Sequence, residues 1–232
     1  MLTWNLQPVG DGVQTPGEDT FWGGKPKLPP DLPLPQCGLC GRELTFFLQA
    51  AFPPGHPWQG KSLALFYCTD TWHDQFCLPE SPDVRNLNRA DIPSSFLHQY
   101  QRAFRTLVFD TDQAVPREDY RERVRFQALF PAKSNRARPE ADVILGGEPV
   151  WIMGWPEHPA TVDGGQKLVL LAQVREGLQF PRLADAPPQV NPFLRSGLSS
   201  QPWYHLFARA RAYLWGTEEP SDTPVYISVQ AQ

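Results

Sequence analysis

Apolar residues along this chain are gathered in short runs separated by proline and glycine. Residues 44–52 are almost continuously apolar between Gly41 and Pro53, and residues 62–68 and 168–174 form similar runs. Runs of this length with turn residues at both ends predict buried β-strands. Residues 122–130 instead alternate between apolar and polar positions, which predicts a half-exposed strand.

The rest of the chain is predicted to add one helix and several strands. Residues 94–103 form the best helix candidate of the first half, capped by one of its first two serines. Residues 106–110 and 224–229 are predicted strands, the second at a sheet edge because it starts with proline. Residues 203–215 are predicted to be one long strand, with a helix as the alternative because of their alanine content. The predicted fold class is mainly β, of α+β type with few short helices.

One sequence pattern occurs twice. In each copy a Gly-Gly-x-Pro element leads, over nearly the same distance, to an apolar run that contains glutamine. The shared positions are Gly23, Gly24, Pro26 and Gln49 in the first copy and Gly146, Gly147, Pro149 and Gln173 in the second. A glutamine in an apolar run is expected to hydrogen-bond to the backbone and tie strands together. The pattern predicts an internal duplication, with two β-rich repeats packed about a pseudo-two-fold axis.

The duplication suggests four segments. Residues 1–20 are expected to be a loosely tethered lead-in with a short strand at its start, and residues 21–130 the first β-rich repeat. Residues 131–142 are polar and are predicted to be a hinge between the copies. Residues 143–232, which contain no cysteine, are predicted to be the second repeat.

Composition and net charge indicate which classes of partner the protein is expected to bind. The chain has 232 residues, of which 41% are hydrophobic and 20% charged, with a formal net charge of -4. These values are typical of a globular protein, and no basic surface is expected that would attract nucleic acid or anionic lipid. No run of eighteen apolar residues and no signal peptide is apparent, so a cytoplasmic location without membrane contact is expected.

The four cysteines form the only chemical constellation that the sequence suggests. Cys37-x-x-Cys40 presents two sulfur atoms from a tight turn, and Cys68 and Cys77 can complete a four-sulfur zinc site. His73 could replace one cysteine as a ligand, and the thiols could also be free of metal or have a redox or catalytic role. A structural zinc ion is favoured because it uses every cysteine of a chain expected in a reducing compartment.

No catalytic residue is predicted. The chain lacks the G-x-S-x-G and H-E-x-x-H motifs and the dinucleotide-binding fingerprint. The favoured function is a non-enzymatic, chaperone-like or adaptor module that binds an unidentified protein partner. One alternative is a zinc-dependent hydrolase that uses His73 or Asp74 near the metal. Another is the binding of a small ligand at the seam between the repeats.

The same motifs resemble a known family. Gly-Gly-Lys-Pro, the Cys-Gly-Leu-Cys-Gly turn with its Phe-Phe-Leu-Gln strand, and Ser-Leu-Ala-Leu-Phe-Tyr-Cys are similar to the YwqG-like family of bacterial proteins. They are also similar to the related amino-terminal part of programmed cell death protein 2. The resemblance covers roughly residues 21–77 and 143–230. It implies a mostly β, duplicated fold and, for the eukaryotic relatives, a chaperone-like role toward a newly made ribosomal protein.

Overall fold

Strands make up most of the regular structure in the computed structural model. It describes residues 2–10, 12–70, 78–79, 91–152, 161–190 and 197–231. The strands are β1 (Thr3–Val9), β2 (Phe21–Trp22), β3 (Lys27–Leu28), β4 (Thr45–Ala51), β5 (Lys61–Tyr67), β6 (Asp91–Ile92), β7 (Phe104–Asp110), β8 (Val115–Pro116), β9 (Gln127–Ser134), β10 (Val143–Gly146), β11 (Thr161–Val162), β12 (Gln166–Val174), β13 (Gln179–Pro181), β14 (Trp203–His205), β15 (Arg211–Thr217) and β16 (Tyr226–Gln230). The described part has one α-helix, α1 (Ser94–Tyr100), and short 3-10 turns at Thr111–Gln113 and Phe207–Arg209. The predicted mainly β class is confirmed.

The main sheet places β1 and β9 at its centre. Its strands follow the order β16-β15-β12-β10-β1-β9-β2-β4-β5-β7, and all neighbours along this path are antiparallel. Outward from β1, the strands are β10, β12, β15 and β16, and outward from β9 they are β2, β4, β5 and β7. Each side therefore begins with a short strand, continues with a long strand that has a bulge, and ends with two further strands. β11 extends the sheet beside β12 and pairs in parallel with β6.

The two glutamines occupy matching places in the two sides of the sheet. The side-chain oxygen of Gln49 in β4 accepts the backbone N–H of Lys27 at 2.9 Å. The side-chain oxygen of Gln173 in β12 accepts the backbone N–H of Val150, also at 2.9 Å. Each long strand has a register shift two residues before its glutamine. The predicted hydrogen bonds from these amides to the backbone are confirmed.

The two glycine pairs also adopt one conformation. Gly23 and Gly24 have φ angles of 62° and 66°, and Gly146 and Gly147 have φ angles of 63° and 75°. A Cβ atom on Gly23 would lie 2.2 Å from the carbonyl oxygen of Arg125. Glycine is therefore required there both by the left-handed backbone and by the close approach of another chain segment. Pro26 and Pro149 follow these turns, buried and half-buried respectively.

Two apolar cores lie around the sheet. The larger one takes residues from both halves, including Trp4, Phe47 and Tyr213. Trp58, in the loop between β4 and β5, is fully buried in this core and donates its indole N–H to the carbonyl of Thr217 at 2.8 Å. The smaller core belongs to the first half and contains two of the cysteines beside its phenylalanines. Long-range packing of this kind joins the two halves into one hydrophobic unit.

Helix α1 brings the two ends of the sheet together. The hydroxyl of Tyr100 donates to the carbonyl of Val225 and accepts the backbone N–H of Ile227, at the start of β16. Gln101 accepts the backbone N–H of Thr106 in β7 at 2.8 Å and donates to the carbonyl of Val225 at 2.9 Å. Side chains therefore bridge β7 and β16, which are the outermost strands of the path.

Replacing Tyr100 by phenylalanine is expected to lower the free energy of unfolding by about 1–3 kcal/mol, because the buried N–H of Ile227 loses its acceptor. Urea denaturation followed by tryptophan fluorescence would measure the difference. Phe96→Leu, which changes a ring stacked on Tyr100 without removing a hydrogen bond, is the control for packing. A Tyr100→Phe variant as stable as the wild type would contradict this account of the bridge.

Several predictions about local structure are wrong, because the boundaries of a strand depend on the strands with which it pairs. The N-terminal segment is not loosely tethered, since β1 lies at the centre of the sheet. β9 starts at Gln127 and continues to Ser134, so the strand predicted over 122–130 is shifted and part of the predicted hinge 131–142 is strand. The register of β1 with β9 imposes this boundary on a sequence whose alternation begins earlier.

Two further predictions need correction. Residues 203–215 form neither one strand nor a helix, because Phe207, Ala208 and Arg209 have φ angles of 43°, 52° and 74° and separate β14 from β15. Helix α1 is present as predicted, although it ends at Tyr100 and its N-cap is Pro93, and the backbone N–H of Ser94 donates to the side chain of Asp163 at 2.9 Å. The strands predicted over 44–52, 62–68, 106–110, 168–174 and 224–229 are present within a few residues. In the described part no helix is long and apolar enough to cross a bilayer.

Candidate metal centre

Cys37 and Cys40 lie in a tight hairpin that precedes β4. Gln36 and Glu43 form an antiparallel bridge at its base, and Cys37 donates its backbone N–H to the carbonyl of Arg42 at 2.7 Å. The backbone N–H of Gly41 donates to the carbonyl of Cys37 at 2.8 Å, and Gly41 has a φ angle of 73°. A left-handed residue directly after the second cysteine turns the chain back toward the sheet, so that both sulfur atoms point to one side.

Cys68 follows β5 and reaches the same place from the sheet. Its backbone N–H donates to the carbonyl of Ala103 at 2.8 Å, which continues the pairing of β5 with β7 by one residue. The neighbouring Arg102 accepts the backbone N–H of Gly38 from the hairpin at 2.8 Å. The residues before β7 therefore hold both cysteine-bearing segments, which are far apart in sequence.

The three sulfur atoms lie close enough together to be ligands of one metal ion. The Sγ atoms of Cys37, Cys40 and Cys68 all lie within 4.8 Å of one another, and those of Cys40 and Cys68 are 3.8 Å apart. Zinc–sulfur bonds of about 2.3 Å at tetrahedral angles place two sulfur ligands about 3.8 Å apart. Cys37 and Cys68 are buried, whereas Cys40 is partly exposed. These residues could hold a metal ion, because thiolates are ligands that several transition metals accept.

The environment of the site favours a negatively charged sulfur. The thiol of Cys68 and the backbone N–H groups of Leu39 and Cys40 donate hydrogen bonds to Cys37, which lowers the pKa of Cys37. The pKa of Cys68 is raised, because that thiol donates to Cys37 and is buried. The backbone N–H of Asp70 donates to Cys68 and acts in the opposite direction. A metal ion would supply the positive charge that allows several thiolates to be close together.

A buried ion pair supports the segment that carries Cys68. Both carboxylate oxygens of Asp70 accept from Nη1 of Arg123, at 2.8 and 2.9 Å, and the same nitrogen lies 3.3 Å from the hydroxyl of Thr45. The hydroxyls of Thr45 and Thr69 are 2.6 Å apart. Sequence reasoning missed Asp70 and Arg123, because their separation along the chain gives no signal that they are in contact. The Asp70 carboxylate is thereby engaged by Arg123.

The second half of the chain contacts the same segment. The backbone N–H of Val190 donates to the carbonyl of Thr69 at 3.0 Å, and that of Leu183 donates to the carbonyl of Arg123 at 2.9 Å. Both donors belong to the proline-rich segment that follows β13. The residues next to Cys68 are therefore held from both halves of the fold.

Two predicted ligands lie outside the described residues. These are Cys77, expected to complete the four-sulfur site, and His73, the alternative ligand. Among the residues that the structure describes, the only group suited to a metal ion consists of the three cysteines, with no histidine or carboxylate. Gly23, Gly24, Pro26 and Gln49 shape the first half of the sheet, and Gly146, Gly147, Pro149 and Gln173 the second; none of the eight belongs to this group.

The fold and the site together define a mainly β protein with a three-cysteine cluster that can hold a metal ion. Comparison with the known protein families gave no match, and comparison with curated proteins gave none either.

Proposed function

We propose that this protein is a non-enzymatic protein-interaction module of chaperone-like or adaptor type, stabilised by one structural zinc ion. The observation that carries the proposal is the cluster of Cys37, Cys40 and Cys68, whose sulfur atoms all lie within 4.8 Å of one another and which is largely buried. Structural zinc sites are closed by four protein ligands, usually cysteine or histidine, whereas catalytic sites keep one position for water. Cys77 is the proposed fourth ligand.

The metal would hold together the hairpin before β4 and the end of β5. In the described part of the chain, the backbone of both segments is held by the carbonyls of Arg102 and Ala103, and Thr45 pairs with Tyr67 at the start of β4. Zinc bound to thiolates contributes folding free energy directly, because the site does not exist in the unfolded chain. The metal would thus have a structural role in the first half, and binding of a protein partner would depend on the surface of the sheet.

The proposal includes the internal duplication. On each side of the centre the sheet has the same strand order, the same glycine turn and the same glutamine contact. β9 pairs with β2 and β1 pairs with β10 in matching register. If β1 and β9 are the first strands of the two repeats, each of them would pair with the second strand of the other repeat. The pseudo-two-fold axis would pass between Gln7 and Phe130, which face each other across β1 and β9. An experimental structure whose halves do not superpose on each other would contradict the duplication.

Zinc content is the direct test of the structural site. We expect about one zinc ion per chain in protein purified without chelator, and loss of the ion with a lower Tm in Cys37→Ser. Val9→Ser, which changes an exposed residue away from the cluster, is the control. Wild-type protein without metal, with all four thiols reactive toward a thiol reagent, would overturn the structural zinc ion.

Cobalt substitution tests whether the site is closed. Thiolate-to-cobalt charge transfer increases with the number of sulfur ligands, so we expect Cys77→Ser to weaken this absorption while Cys37, Cys40 and Cys68 still bind the ion. An unchanged spectrum in Cys77→Ser would mean that Cys77 is not a ligand. The metal would then have an open coordination position, and a zinc-dependent hydrolase would replace the structural site as the favoured function.

A further inference from the structure

Each of the two outermost strands has one backbone edge that faces no further strand of the path. At β16, the hydroxyl of Tyr100 accepts the N–H of Ile227. At β7, the side chain of Gln101 accepts the N–H of Thr106. Side chains thus cover one N–H on each of these edges, and a cleft lies along the edge of β7.

The register of β7 identifies which of its backbone groups point away from the sheet. Cys68 donates to Ala103, and Thr111 donates to the carbonyl of Gly60 at 2.9 Å, so alternate residues from 103 to 111 face β5. In an antiparallel pair the residues between them direct their N–H and C=O groups outward. These outward groups include the C=O of Thr106, both groups of Val108 and the N–H of Asp110. None of them has a backbone or side-chain partner among the described residues.

A cleft of about 380 Å³ lies along this edge. One wall is formed by Arg105, Val108 and their neighbours in β7, and the other by residues 220–225. That second wall begins with Pro220 and contains Pro224, which have no backbone N–H to donate to β7. Gln101 joins this wall to β7 at Thr106 and Val225, so the part of the cleft beside Val108 and Asp110 is where a further strand could pair with β7.

The side chains of the edge suggest what the added strand would carry. Arg105 is exposed and has no ion-pair partner among the described residues, and Leu107 lies two residues further on the same face of β7. Lys61 also lines the cleft, although it is paired with Asp110 at 2.7 Å. An acidic side chain opposite Arg105, followed two residues along by an apolar one, would match this face.

We propose that the β7 edge from Thr106 to Asp110 binds an extended peptide segment of a partner protein, which adds to the sheet as a further strand. The occupant is a segment with an acidic residue near apolar ones, held mainly by hydrogen bonds to its backbone. This inference rests on the proposed protein-interaction function and names its binding site and the class of its partner. A second copy of the chain paired edge to edge is the competing occupant.

Val108 permits a selective test. Its N–H points into the cleft, so Val108→Pro removes a donor to the added strand without removing a bond to β5. Val108→Ala keeps the donor and loses a similar amount of side-chain packing, which makes it the matched control. An unchanged far-ultraviolet circular dichroism spectrum and zinc content would show that Val108→Pro remains folded.

The probe is a peptide selected on the wild-type protein from a phage-displayed library of random decapeptides, then synthesised with a fluorophore. By fluorescence anisotropy we expect Val108→Pro and Arg105→Glu each to weaken binding by at least about tenfold, and Val108→Ala by less than about threefold. N-methylation of alternate peptide residues is expected to weaken binding when the methylated N–H groups face β7, and to leave it unchanged when they face away. This comparison uses the wild-type protein and needs no protein variant.

Three results would overturn the proposal. Equal binding to Val108→Pro and the wild type would place the site elsewhere and leave the interaction function intact. Failure of zinc-loaded, folded protein to select any peptide would count against the interaction function itself. A wild-type dimer in light-scattering measurements that Val108→Pro converts to a monomer would make a second copy the occupant.

Discussion

Replacing Arg123 by methionine is expected to lower the free energy of unfolding by about 3–5 kcal/mol, because it leaves a buried carboxylate without its partner. The side chain of Asp70 is 5% exposed and that of Arg123 is 15% exposed, and Nη1 of Arg123 contacts both oxygens of Asp70. Methionine fills similar space without a charge. Urea denaturation in a buffer that contains zinc would measure the change.

A matched control lies two residues away. Arg121 pairs with Asp185 at 3.2 Å, with both side chains at least 70% exposed, so Arg121→Met should cost less than about 1 kcal/mol. The double variant Arg123→Met with Asp70→Asn should recover part of the lost free energy of unfolding, because burying an amide costs less free energy than burying an unpaired carboxylate. Equal losses for the two single variants would show that burial does not distinguish these ion pairs.

The Arg123 variant also bears on the metal centre. Asp70 donates its backbone N–H to Cys68, and the carbonyl of Arg123 accepts a hydrogen bond from Leu183 of the second half. We therefore expect Arg123→Met to release the proposed zinc ion to a chelator faster than Arg121→Met does. Zinc release at the same rate in both variants would limit the ion pair to a role in general stability.

Acidification is expected to destabilise the protein through His56. This residue is 4% exposed, stacks on Phe52 with ring centres 4.5 Å apart, and accepts the backbone N–H of Trp58 at Nδ1. Burial disfavours the charged imidazolium and lowers the pKa of His56 from its ordinary value of 6.5 to about 4. The neutral ring is therefore the form that the fold accepts.

The direction of the pH effect follows from proton binding. Between pH 6.5 and about 4 the unfolded chain binds a proton at His56 and the folded chain does not. Stability therefore falls as the pH decreases through this window, by about 3 kcal/mol in total, and His56 contributes no further change below it. Above about pH 7 the residue is neutral in both states and contributes no pH dependence.

His56→Asn isolates this contribution. Asparagine keeps an acceptor for Trp58 and cannot titrate, so the difference in unfolding free energy between wild type and variant should shrink as the pH falls from 6.5 to 4. His98→Asn is the control because His98 lies on the exposed side of α1, and it should keep the pH dependence of the wild type. A constant difference between wild type and His56→Asn across this range would contradict the buried neutral state.

Local sequence patterns predicted the strands that are apolar on both faces. β4, β5 and β12 appear as continuous apolar runs bounded by turn residues, because burial on both sides leaves no polar position to obscure the signal. The hydrogen bonds from the backbone to the glutamine side-chain oxygens were also predicted, because a buried amide oxygen needs a donor. The left-handed glycine turns follow from the conformational freedom of single residues.

The cysteine cluster was predictable only in part. The Cys37-x-x-Cys40 turn is a local motif, and its hairpin follows from Gly41. That Cys68 joins it depends on β5 reaching the carbonyl of Ala103, and that Asp70 meets Arg123 depends on a contact across 53 residues. Such contacts leave no trace in spacing or periodicity.

The sequence by itself determined the strand content of this protein, its glycine turns and its cysteine pair, because each depends on interactions within a few residues. Only the tertiary structure decided that β1 and β9 lie at the centre of the sheet, that residues 207–209 break a predicted strand, and that the outer edge of β7 pairs with no other strand of the described part. The physical reason is that strand order and register are set by pairing between distant segments. The free energy of that pairing depends on which partners meet in space, and one sequence read alone does not name them.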